Sequence, residues 1–221
     1  MAFTDPPKRW EIALYRFVRV LILAVAKVFC RIEVHGREHV PQTGSFLLAP
    51  VHRSNIDFAL VSLVTTRRMR YMGKDSIFKY EWINPFLFAL GSFPVHRGAA
   101  DREALHVSMS IVESGQPLVM FPEGTRQSGP EVQELFDGTA YVAAKTHVPI
   151  VPLGIGGSER AMPKGAKFIR PSKIVLVVGP PIDPPPPKEN GGVSRRAVRE
   201  MTDQLKSDIQ KLFDDAQSRA G

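Results

Sequence analysis

The sequence has a single cysteine, Cys30, among its 221 residues, and it has no long uninterrupted apolar run. One cysteine cannot form a disulfide within the chain or build a metal site from several thiolates. Its neighbours are apolar, so we expect a buried, unreactive thiol in a reducing cytoplasmic setting. No cleavable signal peptide, internal repeat or G-x-S-x-G motif is evident, which argues against a serine nucleophile of the kind that this motif carries.

The N-terminal segment, residues 10–30, is rich in apolar and aromatic side chains but is interrupted by basic residues. Its uninterrupted apolar stretch, residues 20–26, is much shorter than the roughly 20 residues that a membrane-spanning helix needs. Leading aromatic residues and interspersed cations are typical of a helix that lies in the membrane interface. We therefore predict a membrane-associating amphipathic helix over residues 1–30, which would make the protein monotopic or peripheral on the cytoplasmic face of the membrane. An ordinary helix packed on the core is the alternative.

Basic residues are in excess, with 29 Lys and Arg against 22 Asp and Glu, which gives a formal net charge of +7. Such an excess favours an anionic partner, which is a nucleic acid, an anionic lipid or a phosphorylated substrate. The arginines are not interleaved with aromatic residues along a recognisable nucleic-acid motif. We therefore expect a membrane surface and a phosphorylated substrate as partners, and no nucleic acid.

A chain of this length, 43% of it apolar, can bury one sizeable core, so we predict one domain over residues 31–221. Short apolar runs between turn residues predict strands at 31–35, 45–51, 69–72, 93–96, 118–121, 149–155 and 173–178. Helical spacing predicts helices at 54–66, 101–113 and 139–146. After the proline-rich segment 179–187, a final helix over 194–218 starts with a Ser194 cap and docks on the body. Alternating strands and helices predict a three-layer α/β domain with a mixed sheet.

Two short polar motifs each follow one of these apolar runs. Residues 45–57 read S-F-L-L-A-P-V-H-R-S-N-I-D, and residues 117–126 read P-L-V-M-F-P-E-G-T-R. An open α/β sheet commonly builds its reaction site from groups just beyond the strand ends. We therefore expect the polar ends of both motifs to contribute to one site.

The first motif places His52 five residues before Asp57. An imidazole titrates near neutral pH and is a natural general base, and a carboxylate can fix its tautomer and stabilise the imidazolium. The turn between the strand and the next helix would bring the two side chains together. Alternatively, Ser54 and Asp57 form an S-x-x-D arrangement, in which Asp57 only assists the cap of that helix.

The second motif and the segment around Arg97 supply arginines. Guanidinium groups hold phosphate oxygens in a planar, bidentate geometry, so Arg97 and Arg126 are candidate phosphate ligands. Gly124 would allow backbone amides to approach an anion closely. A structural salt bridge of Glu123 with either arginine is the alternative, and we expect Glu123 to orient an arginine rather than to transfer a proton.

Four segments in this order, V-H-R-S-N-I-D, G-S-F-P-V-H-R, F-P-E-G-T-R and V-P-I-V-P-L, resemble the glycerolipid acyltransferase family, which includes bacterial 1-acylglycerol-3-phosphate acyltransferases. The resemblance covers roughly residues 31–183 and implies a glycerolipid-acyltransferase-like fold with a largely parallel sheet. It implies a catalytic pair formed by His52 and Asp57. It implies an acceptor-phosphate site formed by Arg97, Glu123, Gly124, Thr125 and Arg126. Lys74, in M-G-K-D-S-I-F, matches a recurrent lysine and is expected at the thioester oxygen or on the donor side.

The activity that this resemblance implies is direct transfer of a fatty acyl group from a thioester donor to a hydroxyl of a phosphorylated glycerol. The donor would be acyl-CoA or acyl carrier protein, and the expected reaction converts 1-acylglycerol 3-phosphate into phosphatidate without a cofactor or metal. Glycerol 3-phosphate and other lysophospholipids remain open as acceptors. The aromatic residues of segment 78–88 would belong to the core or to a wall facing the acyl chain. A lipid hydrolase or phosphodiesterase that activates water with the same pair, and a non-catalytic protein that binds anionic lipid, are the alternatives.

Two positions depart from the pattern of the family. Val51 stands where relatives often have asparagine, so an accessory hydrogen bond is expected to be missing. Residues 135–138 read L-F-D-G where many relatives carry a lysine. The second departure leaves the head group of the acceptor open, but not the type of reaction.

Overall fold

The computed structural model describes residues 4–95, 102–163, 165–186 and 192–221. Its sheet has seven strands in the order β1-β7-β6-β2-β5-β3-β4. The strands are β1 (Glu33–His35), β2 (Leu47–Pro50), β3 (Arg70–Lys74), β4 (Ser92–Val95), β5 (Leu118–Val119), β6 (Ile150–Gly156) and β7 (Val175–Val178). The α-helices are α1 (Arg9–Cys30), α2 (Asp57–Leu60), α3 (Asn84–Ala89), α4 (Arg102–Glu113), α5 (Gly138–Thr146), α6 (Ser158–Ala161) and α7 (Arg195–Ala220).

The sheet is mixed but mostly parallel, as the sequence predicts. Strands β2 to β6 all run in one direction, whereas β7 pairs antiparallel with β6 and β1 runs parallel to β7. The carboxyl ends of β2, β3, β4, β5 and β6 therefore meet along one edge of the sheet, which we call the site edge. Strands β1 and β7 end at the opposite edge.

Helices cover both faces of the sheet. The connections from β2 to β3 and from β3 to β4 step across the sheet in one direction, and those from β4 to β5 and from β5 to β6 step in the other. Right-handed crossovers place the helices of opposite steps on opposite faces. In agreement, α1 contacts α2 and α3, whereas α5 contacts α4 and α7. The three layers are therefore α1–α3, the sheet, and the group of α4, α5 and α7.

The helix predicted over residues 54–66 is much shorter in the structure. Helix α2 covers Asp57–Leu60 and is followed by a single 3₁₀ turn, Val61–Leu63. The carboxylate of Asp57 accepts hydrogen bonds from the amides of Arg53 and Ser54, so these residues form a turn instead of the first turn of a helix. The short helices α3 and α6 were not predicted, because neither is long enough to show a helical period.

The final helix, α7, docks on the body as predicted. The Ser194 hydroxyl accepts a hydrogen bond from the Ala197 amide at 3.4 Å, which is the expected cap. Helix α7 packs across β6, where a Cβ atom on either Gly154 or Gly156 would collide with the α7 backbone. The predicted apolar stripe is buried at Val198, Met201, Leu205 and Ile209, while Leu212 is partly buried.

Helix α1 has two different faces. One face packs on the body, and the Arg19 Nε donates to the carbonyl oxygens of Ser62 and Thr65 at 2.9 Å each. Cys30 is buried on this face, and burial raises the pKa of its thiol, which agrees with the expected unreactive cysteine. The opposite face exposes large apolar side chains, namely Phe17, Val20, Leu21, Val25, Val28 and Phe29. None of the helices in the described part of the chain combines the length and apolar character needed to cross a membrane.

Candidate active site

The two polar motifs meet at the site edge. His52 follows β2 and Glu123 follows β5, and these two strands are parallel neighbours. The amide of Gln127 donates a hydrogen bond to the His52 carbonyl at 3.0 Å. The loops beyond β2 and β5 are therefore joined directly, as expected for polar groups at the ends of adjacent parallel strands.

His52 and Asp57 form a hydrogen-bonded pair. The His52 Nδ1 lies 3.0 Å from Oδ2 of Asp57, whose side chain is fully buried, while the His52 side chain is 14% exposed. The same Oδ2 accepts the amides of Arg53 and Ser54 at 2.7 Å each. Asp57 thus contacts the imidazole and also binds the amides of the turn before α2, so it does not serve only as part of a helix cap.

The geometry assigns the tautomer of His52. A carboxylate can only accept a hydrogen bond, so we place the proton of a neutral imidazole on Nδ1, facing Asp57. The other ring nitrogen, Nε2, is then an unprotonated acceptor, and it makes no hydrogen bond to any of the described residues. The ring of Phe121 packs against the imidazole with 4.1 Å between ring centroids. Phe121 opens the F-P-E-G-T-R motif, and its contact with the imidazole was not anticipated from the sequence.

Glu123 lies under the histidine. The residue is buried, and its Oε2 accepts the His52 amide at 3.0 Å and the Arg53 Nη1 at 2.8 Å. Its Oε1 accepts the Gln133 amide at 3.1 Å and the same Arg53 nitrogen at 2.9 Å. Its ion-pair partner is Arg53, whereas the sequence had suggested Arg97 or Arg126. Glu123 does contact an arginine, and both of its carboxylate oxygens are occupied by protein donors.

Gly124 and Thr125 form the turn that follows. The Gly124 amide donates to the Phe121 carbonyl at 3.0 Å, and the Thr125 amide donates to the Glu123 carbonyl at 2.8 Å. Both amides are thus used within the turn, so the structure does not present them to an anion as the sequence had suggested. Gly124 has a positive φ of 68°, and a Cβ there would collide with the Phe136 ring. The Thr125 hydroxyl is exposed and accepts from Gln127 Nε2 at 3.1 Å.

Arg126 is the described arginine of the predicted phosphate site. It is half-buried, and its guanidinium makes no hydrogen bond or ion pair within the described ranges. It directly precedes Gln127, whose amide is bound to the His52 carbonyl, so its main chain lies beside the histidine. Lys74 ends β3 at the same edge and is exposed. Arg97 lies outside the described residues.

Arg53 was not singled out by the sequence, although it stands between two residues of the first motif. It is 4% exposed and is therefore among the most buried charged residues described. Besides Glu123, its guanidinium reaches the carbonyl of Glu131 at 3.0 Å and lies 4.9 Å from the centroid of the Phe213 ring. Its position beside His52 was the available signal, but nothing in the sequence distinguished it from the many surface arginines.

An apolar groove opens between α1, α2 and α3. It contains about 490 Å³ of empty space, part of which is open to solvent. Phe58, which directly follows Asp57, forms part of its wall together with Val18, Ile22, Leu87 and Leu90. At its base the hydroxyls of Tyr15 and Tyr71 lie 3.4 Å apart. Burial raises the pKa of both tyrosines, so their hydroxyls stay neutral.

Within the described ranges, no group of three or more His, Cys, Asp and Glu side chains is arranged to hold a metal ion. The described part of the site contains the His52–Asp57 pair, the buried Arg53–Glu123 ion pair and the half-buried Arg126.

The fold is a three-layer α/β domain, and the site carries a histidine–aspartate pair at the carboxyl edge of its sheet. The family model described as Acyltransferase matches residues 31–156, and the chain belongs to this family.

Curated relatives and a solved structure agree with this assignment. The chain is 23% identical over 205 residues to the 1-acyl-sn-glycerol-3-phosphate acyltransferase of Bacillus subtilis, with 90% of this chain and 100% of that protein covered. It is 28% identical over 145 residues to a chloroplastic 1-acyl-sn-glycerol-3-phosphate acyltransferase of Brassica napus, covering 64% of this chain and 42% of that protein. The crystal structure of the acyltransferase PlsC from Thermotoga maritima matches with a TM-score of 0.73 at 24% identity, over 90% of this chain and 79% of that one. The last match shows a common fold.

Proposed function

We propose that the protein transfers a fatty acyl group from a thioester donor to the free hydroxyl of 1-acylglycerol 3-phosphate, which yields phosphatidate. The observation that carries the proposal is the His52–Asp57 pair, with Nδ1 at 3.0 Å from the carboxylate and Nε2 open at the site edge. Membership of the acyltransferase family and the activity for which the relatives are named support the same reaction. Acyl-CoA and acyl carrier protein are both compatible donors.

The proposed mechanism is a direct transfer with no covalent acyl-enzyme. His52 Nε2 removes the proton from the acceptor hydroxyl while the oxygen attacks the thioester carbonyl carbon. The tetrahedral intermediate collapses, the carbon–sulfur bond breaks, and the leaving thiolate takes the proton from the imidazolium. Asp57 stabilises that imidazolium through Nδ1. Base catalysis of this kind typically contributes about 10²–10⁴-fold, and positioning of both substrates must supply much of the rest.

The acceptor phosphate is proposed to bind the Arg126 guanidinium. This side chain is half-buried, unpaired within the described part of the chain and next to the loop that carries the histidine. Thr125, with an exposed hydroxyl, lies beside it in the same turn. Arg97 stays a second candidate from the sequence alone. Lys74 at the end of β3 is proposed to face the donor thioester.

The first test separates base catalysis from other uses of the site. Replacing His52 with Gln should lower kcat by about 10³-fold or more without loss of the fold, because the general base is removed. The assay measures thioester consumption and identifies the product by mass spectrometry, with acyl-CoA and acyl carrier protein donors and a panel of acceptors.

The products also decide between the alternative classes. Ester formation by the wild type supports acyl transfer, whereas release of free fatty acid alone would indicate a hydrolase. No turnover of any donor would indicate a lipid-binding protein. Near-normal turnover by the His52→Gln variant would remove the histidine from the mechanism.

The second test concerns the phosphate ligand. Replacing Arg126 with Lys keeps the charge but loses the planar fork, so the KM for the phosphorylated acceptor should rise about 10–100-fold with a small change in kcat. Arg170→Lys, at an exposed basic position, is the matched control. An acceptor without phosphate, such as a monoacylglycerol, should show no such difference between Arg126→Lys and wild type. An equal loss with both acceptors would argue against phosphate binding by Arg126.

The groove between α1, α2 and α3 is proposed to hold the acyl chain that is transferred. Its wall is mostly apolar, and it includes Phe58, which directly follows the proposed catalytic aspartate in the chain. Each methylene buried there would contribute about 0.8 kcal/mol.

The third test narrows this groove. Replacing Leu87 with Trp should lower the kcat/KM ratio of long-chain over short-chain thioesters by at least about tenfold, which corresponds to excluding roughly two methylenes. Tyr141→Trp on α5, in the other helical layer, is the control and should leave chain-length preference unchanged. If Leu87→Trp and Tyr141→Trp showed the same chain-length preference, the acyl chain would have to bind outside this groove.

Attachment to the cytoplasmic face of a membrane through α1 is part of the proposal. The exposed face of α1 is apolar over most of its length, and Arg16 and Lys27 lie among these residues as exposed cations. A lysophospholipid acceptor is itself held in the bilayer by its acyl chain. The helix would therefore place the site edge near the layer that contains the acceptor.

The fourth test removes apolar side chains from α1 without disturbing its packed face. The triple variant Phe17→Ser, Leu21→Ser, Val28→Ser should reduce partitioning onto anionic liposomes more than tenfold, because each buried side chain of this size contributes about 1.5–3 kcal/mol. Deleting the whole helix is a poorer test, since Tyr15, Ala26 and Cys30 are buried. Tyr141→Ser is the control. Equal sedimentation of the triple variant and wild type would refute the anchor.

A further inference from the structure

We propose that Arg53 is a positioning residue that holds the main chain of His52 in the orientation needed for general-base catalysis. The inference rests on the proposed acyl transfer for its activity readout. We assign Arg53 no contact with the acceptor or the donor, because its guanidinium is buried against protein groups. Its effect is exerted through Glu123 and through the backbone of the histidine.

The backbone of His52 is held at both its polar atoms. Its amide donates to Glu123 Oε2 at 3.0 Å. Its carbonyl accepts from Arg53 Nη1 at 3.1 Å and from the Gln127 amide at 3.0 Å. The same Arg53 nitrogen also binds Glu123 at 2.8 Å. The ion pair therefore binds both the amide and the carbonyl of His52.

This arrangement matters because the direction of a side chain follows from its backbone. Asp57 fixes the imidazole at Nδ1, and a rotation of the His52 main chain would move Nε2 while that hydrogen bond could still form. A displacement of about 1 Å at a reacting atom can cost about 10²-fold in rate. The ion pair therefore restrains a motion that the histidine–aspartate hydrogen bond alone leaves open.

The contacts of Arg53 require a guanidinium rather than a simple positive charge. Its Nη1 serves Glu123 and the His52 carbonyl, while its Nη2 donates to the Glu131 carbonyl at 3.0 Å. The face of the group lies over the Phe213 ring, 4.9 Å from the centroid. A lysine ammonium is a compact donor that cannot reach both directions at once or stack on the ring.

The burial of the ion pair supports a role beyond stability. The side chains of Arg53 and Glu123 are 1% and 0% exposed. Removing both charges from water is costly, and apolar residues of similar volume often stabilise a fold equally well. A buried ion pair is therefore weak evidence for stability alone, whereas its hydrogen bonds to the histidine backbone give it a definite geometric task.

The test compares three variants with one control. Arg53→Lys keeps the charge, Arg53→Met breaks the ion pair, and the double variant Arg53→Met, Glu123→Met removes both charges together. Arg67→Lys is the matched control, because Arg67 also donates to two backbone carbonyls, those of Pro41 and Gly44, and packs over a phenylalanine ring. Steady-state kinetics and thermal unfolding are measured for each protein.

The expected results separate positioning from stability. Arg53→Lys should lower kcat about 10–100-fold with little change in the KM of the acceptor, whereas Arg67→Lys should keep the wild-type kcat even if its melting temperature falls. Arg53→Met should lower the melting temperature by roughly 10 °C, since it leaves a buried carboxylate unpaired. The double variant should recover most of that temperature but not the lost kcat.

Three outcomes would overturn the proposal. They are a kcat of Arg53→Lys within about twofold of wild type, a loss confined to KM, and a double variant in which kcat returns together with the melting temperature. The low-field proton NMR resonance of His52 Nδ1–H provides a readout that does not depend on turnover. We expect it to be shifted or broadened in Arg53→Lys and unchanged in Arg67→Lys. If wild type transfers no acyl group, the proposed function fails, and this resonance still decides the role of Arg53.

Discussion

Two buried carboxylates, those of Asp57 and Glu123, organise the loops beyond β2 and β5. A carboxylate withdrawn from water must find donors in the protein, because leaving it unpaired costs several kcal/mol. Asp57 finds the imidazole of His52 and two amides of its own turn. Glu123 finds the amide of His52 and the guanidinium of Arg53. The histidine is thus held between two carboxylates, one bound to its ring and the other to its backbone.

The two helical layers, on opposite faces of the sheet, contribute differently to the surroundings of this histidine. On one face, α1, α2 and α3 enclose the apolar groove, whose wall includes Phe58, the residue after Asp57. On the other face, α7 brings Phe213 against the guanidinium of Arg53, and its Gln210 accepts a hydrogen bond from the amide of Val132 at 2.7 Å. The C-terminal helix therefore supports the loop that carries Glu123, although it contributes no group to the proposed chemistry. The apolar groove and the surroundings of Arg53 are thus formed by different helical layers.

Much of the fold follows from local sequence signals. The strands at 45–51, 149–155 and 173–178 are recognisable because each is a short apolar run bounded by turn residues, and all three appear within two residues of the predicted bounds. The helix after the first motif was overestimated at both ends: the Asp57 carboxylate holds the amides of Arg53 and Ser54 in a turn, and α2 is replaced after Leu60 by a 3₁₀ turn that ends at Leu63. The spacing of apolar residues alone does not reveal either end.

Only part of the candidate site could be predicted, because some of its contacts are local and others depend on the tertiary fold. The approach of His52 to Asp57 depends only on a tight turn and could be predicted. The partner of Glu123 could not, since it depends on which of several arginines the tertiary fold buries beside the carboxylate. The same holds for Phe121, whose contact with the imidazole arises from the side-by-side placement of β2 and β5.

Strand β7 runs antiparallel to β6, and its direction determines the edge at which the chain leaves the sheet. Because β7 runs opposite to β6, the proline-rich segment that follows Val178 departs from the edge remote from His52. A reporter domain or affinity tag inserted after β7 would leave the sheet at the edge opposite the site edge, away from His52 and Glu123. This exit gives the protein an attachment point at which it can be tethered or labelled at a distance from the proposed general base.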